Sequence, residues 1–209
     1  MTKNLWLITI ALLLVIITIC YLSIDLPLSG YFYALRESQF VTFASILTIF
    51  GEGVYYIVPS LILFFIFRKR NPYYAQISLF ILATTSISGI LVNLIKPIFG
   101  RFRPEMFFTE NLYGFNWFEI AFTMNSFPSG HSATALGAWL AFAMIFPKYR
   151  ILLLLIGIMI ASTRIIVTAH YLSDVIAGSA VGIAVTLIYY HRVYVKNNFN
   201  RKVLNASEF

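Results

Sequence analysis

The stretch LWLITIALLLVIITICYL, residues 5–22, runs for 18 residues without a charged side chain. A helix needs about 20 mostly apolar residues to cross the hydrocarbon core of a bilayer. Five further apolar runs follow it, so that the predicted spans are residues 5–22, 48–67, 74–95, 132–146, 151–163 and 172–190. The fourth and fifth are short, and we expect them to extend into their flanking residues. The sequence therefore predicts an all-α polytopic membrane protein with six transmembrane helices, forming a single domain over residues 1–209.

The composition supports a membrane environment. Apolar residues make up 60% of the chain and charged residues 11%, against averages of about 45–50% and about 25% in soluble domains. The net charge of +7 could indicate nucleic-acid binding, but the basic residues lie at the ends of apolar runs rather than along one face. We therefore expect a lipid bilayer and no nucleic acid as partner. The first run has no small-residue cleavage site after it and is expected to remain as an anchor.

Loop charges predict the orientation, since cytoplasmic loops carry an excess of Lys and Arg. One side of the predicted spans carries the basic residues Lys3, Arg68, Lys69, Arg70, Lys148, Arg150, Arg192, Lys196, Arg201 and Lys202. The other carries seven of the eight acidic residues and the basic residues Arg36, Lys96, Arg101, Arg103 and Arg164. The chain is thus predicted to lie in the cytoplasmic (inner) membrane with both termini cytoplasmic.

Two segments are predicted on the outer side. Residues 24–47 contain Pro27 and Gly30, followed by an aromatic, helix-like piece that we expect at the membrane interface. Residues 97–131 form the longest loop, and its part 105–127 is rich in aromatic residues. The aromatic residues fit two interpretations: a belt at headgroup depth, or a lip over which a lipid enters.

The first of three outer clusters covers residues 96–104. Pro97, Gly100 and Pro104 predict a break in the helix, which would allow the backbone to aim several cations at one point. Lys96 supplies a mobile point charge and Arg103 a planar fork, and both suit phosphate oxygens. Arg101 fits the simpler interpretation of an interface anchor whose charge reaches water.

The second cluster is Pro128-Ser129-Gly130-His131, just before the fourth span. Free N–H groups at a helix start attract an anion, and glycine allows close approach of the backbone. Ser129 could be merely the helix cap. His131 favours chemistry, because a histidine beside an anion site can donate a proton to a leaving oxygen.

The third cluster contains Thr163-Arg164, then His170 and Asp174. If His170 opens the sixth helix, Asp174 lies one turn onward on the same face. A carboxylate there can accept the hydrogen of one ring nitrogen, which leaves the other nitrogen as a nucleophile. Taken alone, the pair could also be a structural His–Asp contact at a helix start.

In order and spacing, the three clusters (residues 96–104, 128–131 and 164–174) resemble the signature motifs of the type 2 phosphatidic acid phosphatase superfamily. The resemblance implies that His170 attacks phosphorus and forms a phosphohistidine, supported by Asp174. His131 would protonate the leaving group, while phosphoryl oxygens would be held by Lys96, Arg103, Ser129, Gly130 and Arg164. It implies neither metal nor other cofactor. Thr163 departs from the serine usual in the family but keeps a hydroxyl.

The predicted function is hydrolysis of a phosphate on a membrane lipid at the extracytoplasmic face. Undecaprenyl pyrophosphate, phosphatidylglycerophosphate and a lipid A phosphate all remain candidate substrates, and the oligomeric state is open. Alternatives are phosphotransfer to a lipid acceptor and, less favoured because the charges sit at one face, transport of phosphate or a polyprenyl lipid. Glu52 fits either of two interpretations, a functional group near membrane depth or a carboxylate that reaches outer water. Gly178 and Gly182, four residues apart, predict a face for close helix packing.

Overall fold

The computed structural model describes residues 3–194, and within them the fold is helical without any strand. The helices are α1 (Lys3–Ile19), α2 (Asp25–Ala34), α3 (Gln39–Leu47), α4 (Val54–Phe67), α5 (Pro72–Phe99), α6 (Pro104–Glu110), α7 (Gly130–Ile145), α8 (Arg150–Ile166) and α9 (Leu172–Tyr189). Shorter turns of π- or 3₁₀-helix are Cys20–Ile24, Thr48–Gly51, Phe122–Met124, Pro147–Tyr149 and Tyr190–Tyr194. The prediction of an all-α fold is confirmed.

Within residues 3–194, five helical segments are long and apolar enough to cross a membrane: Asn4–Ala34, Gln39–Phe67, Pro72–Phe99, Pro147–Ile166 and Leu172–Val193. The span predicted at residues 132–146 corresponds to α7, which has 16 residues and is shorter than the others. A multi-pass membrane protein is therefore confirmed, but the count of six spans is not. Helix α7 packs against α5, α8 and α9, and its small core residues such as Ala138 and Ala141 are fully buried.

The first helical segment continues further than the sequence indicates. A π-helical turn, Cys20–Ile24, joins α1 to α2, and Pro27 lies in the first turn of α2 directly after it. Proline is tolerated in a first turn, so the helix passes through Gly30 and ends at Ala34. After a short turn Ser38 caps α3, accepting a hydrogen bond from the amide of Val41. Residues 24–47 thus form two helices, and their predicted interfacial location is not confirmed.

The predicted break in the helix within residues 96–104 is present, and it lies at Gly100 rather than at Pro97. Pro97 lies in the last turn of α5. Because its missing N–H costs the helix only one hydrogen bond there, α5 can continue to Phe99. The helix ends at Gly100, which has φ of 55°; a Cβ there would lie 1.8 Å from the carbonyl oxygen of Asn116. Pro104 then occupies the first turn of α6. The chain therefore reverses at a glycine, between the two prolines.

The predicted glycine packing face is confirmed, and the packing lies within the chain. A Cβ at Gly178 would approach the carbonyl oxygen of Ser129 to 2.1 Å, and one at Gly182 would approach that of Ala133 to the same distance. Because α9 has no side chain at these positions, it contacts the backbone of α7 directly. This contact fixes the start of α7 against the middle of α9.

All three sequence clusters lie at the same end of the bundle. The end of α5, the start of α7, the end of α8 and the start of α9 carry them. The opposite end carries most of the basic residues predicted to be cytoplasmic: Arg68, Lys69, Arg70, Lys148, Arg150 and Arg192. The predicted cytoplasmic residues Lys196, Arg201 and Lys202 lie outside the described residues, as does the side chain of Lys3.

Candidate active site

His170 lies in the turn between α8 and α9, with its side chain 2% exposed. The sequence suggested that His170 opens the last helix, but it lies before it. Tyr171 is the N-cap of α9, and Asp174 is the third helical residue. Asp174 Oδ2 therefore accepts the amide hydrogen of Tyr171 at 2.9 Å. His170 Nδ1 lies 3.6 Å from the same carboxylate oxygen.

Ser126 connects the histidine to the carboxylate. Its Oγ donates to Asp174 Oδ2 at 2.6 Å and lies 3.3 Å from His170 Nδ1. Both groups thus contact Nδ1, so Nε2 is the ring nitrogen that they leave available. Burial lowers the pKa of His170 to about 3; Asp174 opposes this shift, and Arg103 and Arg164 add to it. The imidazole is therefore neutral at neutral pH, the form in which a histidine is a nucleophile.

Behind Asp174 lies a buried set of charges and hydroxyls, the rear network, consisting of Asp25, Arg101, Ser126, Ser173 and Asp174. Arg101 Nη1 donates to Asp174 Oδ1 and, at 2.6 Å, to Ser173 Oγ. Its Nη2 donates to Asp25 Oδ2 at 2.7 Å. Asp25 also accepts hydrogen bonds from the amide and hydroxyl of Ser173. One arginine thus joins the first helical segment to the start of α9.

This network corrects the interpretation of Arg101 as an interface anchor. Its side chain is 1% exposed, and both carboxylates that it contacts are fully buried. The two carboxylates raise the pKa of Arg101 against the effect of burial. A buried cation is stable only with such partners, so Arg101 is part of the site's interior rather than its rim.

In front of His170 lies the front cluster, consisting of Lys96, Arg103, His131 and Arg164. Lys96 Nζ donates to the carbonyl oxygen of Asn125 at 3.0 Å, and Arg103 Nε to that of Phe122 at 2.9 Å. Arg164 Nη1 donates to the hydroxyl of Thr48 at 2.9 Å. None of these three bonds reaches a carboxylate, so neutral partners orient the cations without cancelling their charge.

The front cluster borders a cavity of about 650 Å³. It is lined by Gly51, Glu52, Gly53, Val54, Ile57, Thr85, Ser86, Gly89, Ile90, Asn93, Lys96, Arg103, Phe122, Gly130, His131, Thr134, Arg164 and His170. The charged residues lie at one end, and apolar residues of α4 and α5 extend from them. A ligand with an anionic head and an apolar body fits this distribution of side chains.

The second sequence cluster is only partly in the cavity. Gly130 and His131 line it, with the His131 side chain 29% exposed. Ser129 is fully buried and caps α7, accepting hydrogen bonds from the amide of Ser132 at 3.4 Å and from its hydroxyl at 2.8 Å. The cap interpretation of Ser129 is thus realised, and its contact with a phosphoryl group stays a prediction.

The aromatic loop divides into two parts. Tyr113 and Phe115 pack inwards, and their rings lie within 6 Å of the Arg101 guanidinium. Tyr113 also stacks on Tyr21. Phe118 and Phe122 are exposed, and Phe122 lines the cavity with the Arg103 guanidinium 4.0 Å above its ring. The inner rings shield the rear network, while Phe122 borders the cavity.

Sequence reasoning missed three members of the rear network: Asp25, Ser126 and Ser173. Asp25 is an ionisable residue at the end of an apolar run, which is by itself a signal of function at membrane depth. Ser126 stands two residues before Pro128 and carries no comparable signal, because a serine in a polar loop has many uses. Among the described residues, no group of three or more His, Cys, Asp or Glu side chains is arranged to hold a metal ion.

Comparison with known proteins agrees with this geometry. The PAP2 superfamily matches residues 76–198, which is more than half of the chain and includes all three clusters. The chain belongs to the PAP2 superfamily. A relative called lipid A 1-phosphatase, from Rhizobium etli, is 35% identical over 159 residues, covering 70% of this chain and 68% of the relative.

A second relative of this PAP2 protein, the lipid A 1-phosphatase of Rhizobium johnstonii, is 38% identical over 149 residues. That match covers 66% of this chain, which spans 61% of the relative's length. The family and these relatives identify the protein as a PAP2-type lipid phosphatase in a membrane.

Solved structures show the same PAP2 fold. The transmembrane PAP2-type phosphatidylglycerolphosphate phosphatase of Bacillus subtilis has a TM-score of 0.60 and 18% identity, covering 92% of this chain and 96% of its own. Aquifex aeolicus LpxE has a TM-score of 0.53 and 22% identity, covering 79% of this chain and 94% of its own. At these identities the likeness concerns the fold alone.

Proposed function

We propose that this lipid phosphatase hydrolyses the phosphate of a lipid A-type glycosyl phosphate through a phosphohistidine intermediate, without a metal, on the extracytoplasmic side of the membrane. The observation that carries the proposal is the placement of His170. Its ring is buried and neutral, Ser126 and Asp174 contact Nδ1, and it lines a cavity bordered by three cations. A neutral nucleophile in front of fixed positive charge suits attack on a phosphate dianion.

In the first step, Nε2 of His170 attacks phosphorus, and the bond between phosphorus and the lipid oxygen breaks. The N–P bond forms as His131, acting as an acid, gives its proton to the departing lipid oxygen. Lys96, Arg103 and Arg164 stabilise the charge that spreads over the equatorial oxygens. The positive charge that develops on His170 is stabilised by Asp174, held in place by the rear network.

In the second step, water attacks the phosphohistidine from the cavity. His131, now neutral, takes a proton from that water, the N–P bond breaks, and inorganic phosphate leaves. Both protons are thus accounted for, and each histidine returns to its starting form. If a lipid hydroxyl replaced water, the same intermediate would give phosphotransfer.

The choice of lipid A follows from the two Rhizobium relatives, which carry that name. The cavity is compatible with it, because its lining includes the polar side chains of Ser86 and Asn93 besides the cations and the apolar residues of α4. Undecaprenyl pyrophosphate and phosphatidylglycerophosphate share the anionic head and apolar body, so they belong in the same test.

The test uses purified protein in detergent with EDTA and a panel of the three lipids, labelled at the phosphate. We expect labelled inorganic phosphate, with the highest kcat/KM on lipid A. A sample quenched within one turnover should carry label on protein, stable to alkali and labile to acid. Label transferred to a second lipid would identify a phosphotransferase, and binding without any chemistry would favour transport. Loss of activity in EDTA would contradict the metal-free mechanism.

The outer location of the site is supported by the basic residues at the opposite end of the bundle, including Arg68 and Arg150. The chain has a single cysteine, Cys20, which is buried, so topology can be mapped with introduced cysteines. On intact cells, a membrane-impermeant maleimide should label Glu110→Cys near the site. It should label Lys69→Cys only after lysis, and the reverse pattern would place the site in the cytoplasm.

A further inference from the structure

The segment Gly51-Glu52-Gly53 places a carboxylate at the cavity. It separates the 3₁₀ turn Thr48–Gly51 from α4, and Glu52 itself is extended, with φ of −74° and ψ of 131°. A Cβ at Gly51 would lie 3.2 Å from Cβ and Cδ2 of His131, and Thr134 donates its hydroxyl hydrogen to the Gly51 carbonyl. The segment is therefore held against the first turn of α7, which carries His131.

Glu52 Oε1 lies 4.0 Å from His131 Nε2. The glutamate side chain is 51% exposed, so it meets the histidine at the mouth of the cavity rather than in the interior. Glu52 is the acidic residue among those that line the cavity. Its carboxylate is therefore placed to act on His131, while the other carboxylates near the nucleophile lie in the rear network.

The remaining charged groups facing His131 are positive. Burial, and after it Arg164 of α8, Lys96 of α5 and Arg103 of the following turn, lower the pKa of His131 to about 4, and His170 lines the same cavity as a neutral ring. The proposed acid must be an imidazolium, which three neighbouring cations disfavour. A carboxylate at 4.0 Å favours the same form. Without Glu52, the imidazolium would form only at a still lower pH.

We propose that Glu52 is a positioning residue for His131, which stabilises the protonated ring and directs it at the leaving oxygen. The site would thus contain two histidine–carboxylate pairs: Asp174 acts on the neutral nucleophile, and Glu52 acts on the charged acid. Glu52 stays ionised and takes up no proton during turnover. The proposal rests on the function proposed above, because only a leaving group that needs a proton requires this pair.

The experiment compares Glu52→Gln with Glu110→Gln, an exposed glutamate at the end of α6 that does not line the cavity. Each variant is assayed on the lipid phosphate and on p-nitrophenyl phosphate, whose leaving group departs without a proton. Glu52→Gln should lower kcat on the lipid about tenfold, with little change in KM, and leave the aryl ester within about twofold. Glu110→Gln should match wild type on both.

Two further readouts separate this role from a structural one. The pH above which lipid hydrolysis declines should fall by about one unit in Glu52→Gln, so lowering the pH should restore its activity. Glu52→Asp, which keeps the charge on a shorter side chain, should lie between wild type and Glu52→Gln. In a His131→Ala background, Glu52→Gln should cost nothing more, because the two changes act through one group.

The proposal is overturned by equal losses on both substrates, by an unshifted pH profile, or by a further tenfold loss in the His131→Ala background. Wild-type activity on both substrates in Glu52→Gln overturns it while leaving the proposed function intact. Failure of wild-type protein to release phosphate from any lipid overturns the proposed function, and this role of Glu52 fails with it.

Discussion

The rear network and the front cluster treat charge in opposite ways. Behind His170, Arg101 lies between Asp25 and Asp174, and all three side chains are within 1% of complete burial. In front of it, Lys96 and Arg103 have backbone carbonyls as hydrogen-bond partners and face a cavity. The first arrangement neutralises its charges internally, whereas the second leaves its charges for a ligand.

With these two arrangements, one small site can be rigid and can still bind an anion. A buried ion pair loses several kcal/mol when one partner is removed, because the other charge is left uncompensated. Such a set holds its members in one geometry, here with Asp174 beside His170. Cations oriented by neutral groups keep their attraction for a phosphate dianion. Burial lowers the pKa of Arg103, which shows that its charge is poorly solvated until an anion arrives.

The largest expected effect comes at the boundary between the two regions. His170→Ala should lower lipid phosphate release by about 10⁴-fold or more, because it removes the group that attacks phosphorus. The matched control is His191→Ala at the opposite end of the bundle, which should retain wild-type activity. Turnover by His170→Ala within about tenfold of wild type would show that water attacks phosphorus directly.

Next in size is the effect of breaking the rear network. Arg101→Met should lower the free energy of unfolding by about 3–5 kcal/mol, because two buried carboxylates lose their partner. Arg103→Met in the front cluster removes a charge without a carboxylate in hydrogen-bond contact, and should change stability by less than about 1 kcal/mol. Chemical unfolding in detergent measures both. Equal stability of the two variants would contradict the division into a paired and an unpaired region.

The front cluster, His170 and Asp174 could be predicted from sequence, whereas the rest of the rear network could not. Lys96, Arg103, His131, Arg164, His170 and Asp174 stand in local motifs whose residue types already indicate phosphate chemistry. Arg101 stands in the same motif, but its role depends on Asp25, which is 76 residues away. No local sequence pattern predicts the contact between Arg101 and Asp25. Arg101 was therefore interpreted as an anchor in water, although its side chain is buried.

The fold shows the same limit. Apolar runs predicted the helical membrane protein, because a bilayer imposes length and hydropathy on each span directly. They did not predict that helix would continue through Pro27, since this depends on the π-helical turn before it. The run at 132–146 corresponds to α7, a helix of 16 residues, so the sixth predicted span is not confirmed. This helix packs among α5, α8 and α9, and its small residues are buried against them.

A smaller effect distinguishes the two histidines. His131→Ala should slow hydrolysis of lipid phosphates by about 100-fold, because an alkoxide leaves poorly without a proton. On p-nitrophenyl phosphate the same variant should lose only a few fold, and the two substrates serve as each other's control. Equal losses on both substrates would mean that His131 binds the phosphate rather than protonating the leaving group.

The smallest effect is a titration that should be absent. Burial lowers the pKa of His170 to about 3, so about 1% of its rings would be protonated at pH 5. In ¹⁵N-histidine-labelled protein, which has three histidines, the signal lost in His170→Ala should keep neutral-ring shifts from pH 8 to pH 5. In denatured protein the same ring should titrate near its ordinary value of about 6.5. Because the folded state disfavours protonation of this ring and the unfolded state does not, lowering the pH below about 6.5 destabilises the fold. A midpoint near 6.5 in the folded protein would show that water reaches the ring, and the rear of the site would then be no more enclosed than the front.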